Sequence, residues 1–170
     1  MNCHRIALVA LSLLLLASCA KKTVQREITI GNETLQVMMP TGKDVVHPVH
    51  GNELWFAVGA LSGEGDVKAN GVAQSHVFED STTIVTVNLN IHLAPKGQRY
   101  VAWLKEPTGA VRVRLDSLQN PFKDVRHVIT TEVSKDLRTA TEVIVTLERS
   151  TGPSETDPIE ATGTLKHQSR

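Results

Sequence analysis

The sequence predicts an all-β domain of antiparallel strands, arranged as a sandwich or barrel. One observation is the alternation of apolar and polar residues, clearest over residues 82–92, because a period of two is typical of a strand with one buried face. The other is punctuation by clusters of Gly, Pro, Asn and Asp, which recur every ~8–12 residues as they do between sandwich or barrel strands. No long amphipathic helical pattern follows the first twenty residues.

The strands are predicted from alternation or from runs of β-branched residues. In chain order the candidates are residues 27–30, 34–38, 54–61, 71–78, 82–92, 99–104, 111–115, 125–133, 142–148 and 161–166. The segment 78–83 predicts a tight hairpin between two of them. Only residues 134–141 suggest a helix, with Ser134 as its cap, and they suffice for a turn or two at most.

Composition excludes several classes of protein. The chain has 170 residues, with 18 basic and 18 acidic side chains, so it lacks the basic excess expected of a nucleic-acid-binding protein. Its hydrophobic content of 41% and charged content of 21% are those of an ordinary globular domain. It contains no phosphate-binding loop, dinucleotide fingerprint or nucleophile elbow. We therefore expect a non-enzymatic protein without a cofactor.

The N-terminus reads as an export signal. His4 and Arg5 precede an uncharged run at residues 6–16, which is too short to span a bilayer but matches the apolar core of a secretory signal. The run ends in Leu16-Ala17-Ser18-Cys19, which resembles the lipobox of bacterial lipoproteins. That resemblance implies that residues 1–18 are removed and that Cys19 carries the lipid. An ordinary secretory signal cleaved nearby is the alternative.

This reading sets the expected domain organisation and location. Residues 19–25 form the lipidated cysteine and a tether, residues 26–166 form the β-domain, and residues 167–170 form a tail. The protein is expected in the cell envelope, anchored to a membrane by lipid. Because Ala20 rather than Asp follows Cys19, a Gram-negative host would place it on the periplasmic face of the outer membrane. Cys3 would be lost with the signal, so thiol catalysis and cysteine zinc sites are excluded.

The most ligand-like motif is His47-Pro48-Val49-His50. Its two imidazoles would share a metal only if a turn brought them together, and Pro48 favours an extended His47. The third ligand would come from His76, His92 or His127, with Cu(II), Ni(II) or Zn(II) as the metal. The motif supports an alternative function, a periplasmic small-ligand or metal-binding protein. The simpler interpretation is that His47 and His50 are surface histidines.

Other side chains have two interpretations each. Trp55 and Trp103 lie in predicted strands, where a tryptophan serves either the core or ligand stacking. The segment Gly63-Glu64-Gly65-Asp66 forms either a flexible acidic turn or a weak cation site, although it lacks the alternating oxygen ligands of a calcium loop. Four arginines form either a basic stripe or solvated ion pairs with the acids interleaved among them. They are Arg112, Arg114, Arg126 and Arg138, and the acids are Glu106, Asp116, Asp124, Glu132 and Asp136.

The stretch from residue 95 to residue 166 resembles the extracytoplasmic C-terminal domain of the anti-sigma-K factor family. A Tyr-x-x-Trp-Leu strand precedes a strand with Val, Val, Thr and Glu, and a Gly/Pro loop and a closing strand follow. The matching residues are Tyr100 to Leu104, Val143 to Glu148, Gly152-Pro153, Pro158 and Gly163-Thr164-Leu165.

The resemblance implies an immunoglobulin-like β-sandwich of about eight to nine strands outside the cytoplasm. It does not carry over sigma-factor binding, because that family binds sigma through a cytoplasmic helical region joined by a transmembrane helix, and a lipobox stands in that place here. We therefore expect a tethered binding or sensor-type domain with an envelope protein or peptide as partner. An envelope enzyme is the least favoured alternative.

Overall fold

The computed structural model describes residues 27–30, 33–36, 45–109, 112–149 and 157–169. The chain divides into two units, Met1–Thr41 and Gly42–Arg170. In the first unit, β1 (Glu27–Ile30) pairs antiparallel with β2 (Glu33–Gln36) in a two-stranded sheet. The predicted signal peptide, Cys19 and the tether lie outside the described residues, which hold no candidate for a membrane-spanning helix.

The second unit is an antiparallel sheet of ten strands. They are β3 (Val46–His47), β4 (Gly51–Gly63), β5 (Asn70–Phe78), β6 (Thr83–Asn90), β7 (Gln98–Lys105), β8 (Arg112–Ser117), β9 (Arg126–Val133), β10 (Glu142–Arg149), β11 (Ile159–Thr164) and β12 (Lys166–His167). Eight of them follow one path, β8-β7-β10-β11-β4-β5-β6-β9, while β3 and β12 pair with β4. The predicted all-β antiparallel class is confirmed.

The sheet curls until its two edges meet. Gln119, just after β8, exchanges two backbone hydrogen bonds with Val128 of β9, at 2.7 and 2.8 Å. Farther along, the Thr131 hydroxyl donates to the carbonyl oxygen of Leu115 at 2.7 Å. The eight-stranded path is therefore nearly closed into a barrel-like body.

The core lies on the concave face of this body. Alternate residues of β6, β7 and β10 point inward, and Val85, Tyr100 and Val145 are almost completely buried. Burial raises the pKa of the Tyr100 phenol to about 12, with a smaller contribution from the charge of Glu160.

The helix suggested at residues 134–141 is not formed, because these residues make turns between β9 and β10. Leu137 and Ala140 of this loop are buried and join the main core. The Thr83 hydroxyl fixes the loop by accepting the Leu137 N–H at 3.1 Å and donating to the Lys135 carbonyl at 2.7 Å. The segment therefore forms a loop that is held by the packing of two apolar side chains into the barrel, and not a short helix.

The barrel has a near end and a far end, each defined by the loops that lie there. At the near end the chain enters at Val45, and the β5–β6, β7–β8 and β9–β10 loops lie there. At the far end lie the β4–β5, β6–β7 and β8–β9 loops. The predicted hairpin at 78–83 is the β5–β6 turn, in which Phe78 N–H donates to the Thr82 carbonyl at 3.0 Å.

Candidate functional site

The predicted histidine pair lies at the near end. His47 ends β3, and a turn brings His50 beneath it, so that the ring centroids are 4.5 Å apart and the planes differ by 20°. Both rings contact Phe78, with centroid distances of 5.3 Å for His47 and 5.9 Å for His50. The turn that the sequence left as a condition is present and stacks the two imidazoles, and the expectation of a surface histidine is wrong for His50, which is 8% exposed.

Both ring nitrogens of His50 face carboxylates. Nδ1 donates to Asp80 Oδ2 at 2.7 Å, and Nε2 lies 3.4 Å from Glu132 Oε2. The hydrogen bond to Asp80 raises the pKa of His50 above its ordinary value. Burial of the His50 ring, which is 8% exposed, acts in the opposite direction and lowers the pKa. The same bond lowers the pKa of Asp80. This arrangement suits an imidazolium held between two anions.

His47 has a different environment. Its Nδ1 accepts the backbone N–H groups of Val49 and His50, both at 3.3 Å. Burial, and then the charge of His50, lowers the pKa of His47. With this nitrogen engaged and both nitrogens of His50 facing carboxylates, the pair offers no common set of lone pairs to a metal. Across the described ranges, no three His, Cys, Asp or Glu residues are placed to hold a metal ion.

The three other candidate histidines divide between the two ends of the barrel. His76 of β5 is close to the pair, since its ring lies 6.4 Å from that of Phe78. His92 and His127 lie at the far end around Tyr100, whose hydroxyl donates to His92 Nε2 at 3.1 Å and whose ring meets the edge of His127 at 5.2 Å. The structure therefore brings only His76 to the neighbourhood of the predicted site.

A second cluster surrounds Trp103 on the outer face of β7, β8 and β10. The Arg112 guanidinium lies 4.1 Å from the centroid of the indole ring, and that of Arg114 lies 5.8 Å away. The indole Nε1–H donates to Thr146 Oγ1 at 3.0 Å and to Glu148 Oε1 at 3.2 Å. Trp103 is thus a half-buried outer residue flanked by arginines.

The two tryptophans differ in their surroundings. Trp55 packs against the main core and stacks on His167 at 5.8 Å, in planes that differ by 4°. It serves the core, as one interpretation of the sequence expected. Trp103 lies on the opposite face of its strand from the core residues Ala102 and Leu104.

Glu148 carries its carboxylate beneath the Trp103 cluster at 1% exposure. Its Oε2 lies 3.3 Å from Arg114 Nη2, and its Oε1 accepts the Thr146 hydroxyl at 3.2 Å. Arg114 also reaches Asp116 Oδ1 at 3.3 Å. In the described structure the buried Nε of Arg114, and that of Arg99, have no hydrogen-bond partner.

The four predicted arginines do not form one stripe. Arg126 and Arg138 each pair with the aspartate two residues earlier, Asp124 and Asp136, at 2.6 Å. These carboxylates raise the pKa of each arginine. Arg114 pairs with Asp116 at 3.3 Å, so ion pairing with interleaved acids is right for three of the four, while Arg112 stacks on an aromatic ring instead.

The acidic segment between β4 and β5 forms a turn. Glu64 Oε2 accepts the Thr162 hydroxyl at 3.4 Å, and the Glu64 carbonyl accepts the Val67 N–H at 3.0 Å. The first contact links the turn to β11, and the second closes the turn. The Glu64 carboxylate thus has a hydrogen-bond partner within the protein.

Sequence reasoning missed the apolar tips of the far-end loops. Leu93 in the β6–β7 loop is 55% exposed, and Phe122 and Val125 in the β8–β9 loop are 59% and 53% exposed. Phe122 follows Asn120-Pro121, a turn signal that predicts exposure of the next side chain. That signal was available in the sequence.

Comparison of the chain with protein-family models, with curated proteins and with solved structures gave no match. Three parts of the described structure are candidate functional sites on the basis of their geometry. They are the near-end histidine cluster, the Trp103 cluster and the far-end apolar loops.

Proposed function

We propose that this protein is a lipid-anchored lipoprotein of the bacterial cell envelope whose β-domain is a non-enzymatic binding module. The lipobox at Leu16 to Cys19 supports the anchor. The loops at the far end of the barrel recognise a protein partner. The observation that carries the binding role is the exposure of Leu93, Phe122 and Val125 on these loops.

Three large apolar side chains at loop tips are unusual on a surface without a partner. Single exposed apolar residues are common, but several on adjoining loops mark an interaction surface. The two loops adjoin because the Ile91 N–H, at the start of the β6–β7 connection, donates to the Val125 carbonyl at 2.9 Å. The three side chains therefore belong to one end surface, which we call the far-end patch.

The β8–β9 loop is held in a defined shape. Asn120 Nδ2 donates to the Asp124 carbonyl at 2.6 Å, and Asn120 Oδ1 accepts the Asp124 N–H at 3.1 Å. The Arg126 guanidinium lies 4.0 Å from the centroid of the Phe122 ring and fixes that side chain from one side. A loop ordered before binding loses less conformational entropy on binding, as recognition loops require.

The charge around the far-end patch indicates the chemistry of the partner. Lys96 and Lys123 are exposed on the two loops, and Arg126 is compensated by Asp124. The two loops that carry the patch therefore add positive charge beside it, while the exposed acids of this end, Glu64 and Asp66, lie on the β4–β5 loop. We infer a partner with an apolar contact surface bordered by carboxylates.

The test places a photo-crosslinking amino acid at position 122 of the full-length chain in its native cells. We expect a discrete protein adduct, because the Phe122 side chain would lie inside the interface. Introducing Lys123→Glu into the same chain should weaken the adduct, because it reverses the charge beside the contact.

The matched control places the same amino acid at position 72. Val72 is 42% exposed, but it lies on β5 rather than on a loop of the far-end patch. No protein adduct at position 122, equal adducts at positions 72 and 122, or adducts to lipid alone would each reject the proposed surface.

The alternative function of metal or small-ligand binding at His47 and His50 is less well supported. His50 directs both nitrogens to carboxylates, and His47 Nδ1 accepts backbone N–H groups. A sensor-type role, implied by the resemblance to anti-sigma-K factors, is compatible with binding through the far-end loops.

A further inference from the structure

We propose that the outer face around Trp103, Arg112 and Arg114 is a binding site for a phosphate group, either free or at the head of a lipid. The site lies on strands rather than at the far-end loops, so it does not depend on the protein interface proposed above. The two arginines differ in how they use their N–H groups.

Arg112 is exposed and lies 4.1 Å above the Trp103 ring. A stacked guanidinium contacts the ring with its flat face, whereas its N–H groups lie in the plane of that face. Stacking on Trp103 therefore orients the Arg112 guanidinium while leaving its N–H groups available as hydrogen-bond donors. These N–H groups point along the protein surface.

Arg114 uses its donors weakly. Its contacts with Asp116 and Glu148 are both 3.3 Å, which is long for a charge-assisted hydrogen bond. Its Nε is buried and has no acceptor within the described residues. The side chain is 31% exposed, so a phosphate oxygen at the surface can add a charge-assisted hydrogen bond to its terminal N–H groups.

The neighbouring charges leave a positive excess. Lys105 is paired with Glu142 at 2.8 Å. Glu148, which is 1% exposed, has its charge compensated by Arg114 at 3.3 Å and by hydrogen bonds from Trp103 and Thr146. Asp116 is offset by Arg114. Arg114 is shared by two acids, so the four cations Arg99, Lys105, Arg112 and Arg114 exceed the three acids Glu142, Glu148 and Asp116 by one charge.

Two guanidinium groups beside one indole favour phosphate over carboxylate. A carboxylate has two oxygens and satisfies one guanidinium fork, whereas a phosphate has oxygens for two forks at once. The Trp103 ring keeps Arg112 in place before the ligand arrives, which reduces the entropy lost on binding.

The experiment uses the intrinsic fluorescence of Trp103. The chain has two tryptophans, so Trp55→Phe leaves Trp103 as the only reporter. Inorganic phosphate is titrated into this full-length chain at constant ionic strength, with KCl in a parallel titration. We expect a saturable change with phosphate and none with KCl, and a KCl response of equal size would overturn the proposal.

The test variant is Arg112→Gln, and the matched control is Arg138→Gln. Arg138 is also exposed, but Asp136 already occupies its fork. Losing a charge-assisted hydrogen bond should weaken phosphate binding at least about tenfold in Arg112→Gln. Arg138→Gln should leave it unchanged. Equal affinities in the two variants would contradict the assignment of the site.

A melting curve for each variant separates loss of binding from loss of fold. If Arg112→Gln unfolds, the variant Arg112→Lys is used instead. It keeps the positive charge but lacks the paired N–H groups of the guanidinium, so it should bind phosphate more weakly than the chain with Arg112 does. Undiminished binding by a folded Arg112→Lys chain would refute the role of the guanidinium fork.

The source of the phosphate is decided by vesicles. Phosphatidylglycerol vesicles that bind more tightly than inorganic phosphate, with phosphatidylcholine vesicles inactive, identify a lipid headgroup. Inorganic phosphate that binds more tightly identifies the free ion. Acetate that binds as well as phosphate would overturn the preference for phosphate. A failure of this site leaves the crosslinking result at Phe122 unaffected.

Discussion

His50 differs from an ordinary surface histidine because its two ring nitrogens face Asp80 and Glu132. Its pKa is raised, so the folded protein binds the proton more tightly than the unfolded chain does. Its contribution to stability is therefore complete below the ordinary histidine pKa of 6.5 and is lost as pH rises through the higher folded value.

The pKa of His47 is shifted in the opposite direction from that of His50. Its pKa is lowered, so its contribution to stability is lost as pH falls below 6.5. The two histidines partly cancel in the pH dependence of the whole protein. Their effects are best separated by titrating each imidazole by NMR.

We expect His50 to titrate above 6.5 and His47 below it in such an experiment. Asp80→Asn should lower the pKa of His50, because it removes the carboxylate that accepts the Nδ1 hydrogen bond. The loss of stability in Asp80→Asn should be largest at and below pH 6.5 and should shrink as pH rises through the raised pKa of His50, since only the imidazolium gains from the carboxylate.

Asp136→Asn is the control, because Asp136 pairs with Arg138. It should leave the titration of His50 unchanged. If His50 titrates at the same pH in the wild type and in Asp80→Asn, the hydrogen bond at 2.7 Å does not set its protonation.

At the residue scale, the sequence predicted positions better than partners. The spacing of His47 and His50 drew attention to the pair, but Asp80 is separated from His50 by 30 residues and reaches it only because β4 and β5 pair. The same holds for Glu148 and Trp103, which are 45 residues apart. Such contacts depend on strand order, which alternation along a single strand does not contain.

At the element scale, the strands with clear alternation were predicted closely. The segment 82–92 became β6 and the segment 142–148 became β10, each within two residues at either end. Short strands without a period were missed. β3 has two residues, and β12 extends the pairing into the expected tail, where the Gln168 N–H donates to the Phe56 carbonyl at 2.9 Å.

The contact between β4 and the C-terminal strands depends on a glycine. A Cβ atom on Gly59 would lie 2.3 Å from the carbonyl oxygen of Thr164. The clash is with backbone, so it cannot be relieved by rotating a side chain.

We expect Gly59→Ala to lower the free energy of unfolding by an amount near the top of the ~1–3 kcal/mol range for overpacking. Urea denaturation of the purified chain measures it. Gly65→Ala is the control, because Gly65 has no neighbour within 4 Å and only its positive φ of 56° disfavours a side chain. It should cost about 1 kcal/mol. Equal losses in the two variants would mean that β11 and β4 adjust freely at this point.

At the scale of the whole molecule, the class of fold was predictable but the closure of the sheet was not. Punctuation by turns indicates a sandwich or barrel without distinguishing them. The hydrogen bonds between Gln119 and Val128 join the two edges of the path, and neither residue carries a pattern that predicts this pairing.

The proposed lipid anchor also belongs to the scale of the whole molecule, because it would decide where the protein acts. We expect Cys19→Ser to remain in precursor form and to take up no labelled palmitate, since the lipid would be attached through the thiol. Labelling of cells that express the full chain measures this. Cys3→Ser is the control and should be labelled as the wild type is, while labelled Cys19→Ser would reject the lipobox.

The position of β4 in the sheet has a consequence for biogenesis. β4 is bordered by β5, which follows it directly, and by β11, which is synthesised about a hundred residues later, as the pairing of Gly63 with Ala161 shows. A central strand whose second neighbour comes last delays cooperative folding, because the long loop must close before the sheet is complete. We therefore expect the β-domain to fold cooperatively only after its final segment has been synthesised, so an exported chain would still be unfolded when it enters a secretion channel.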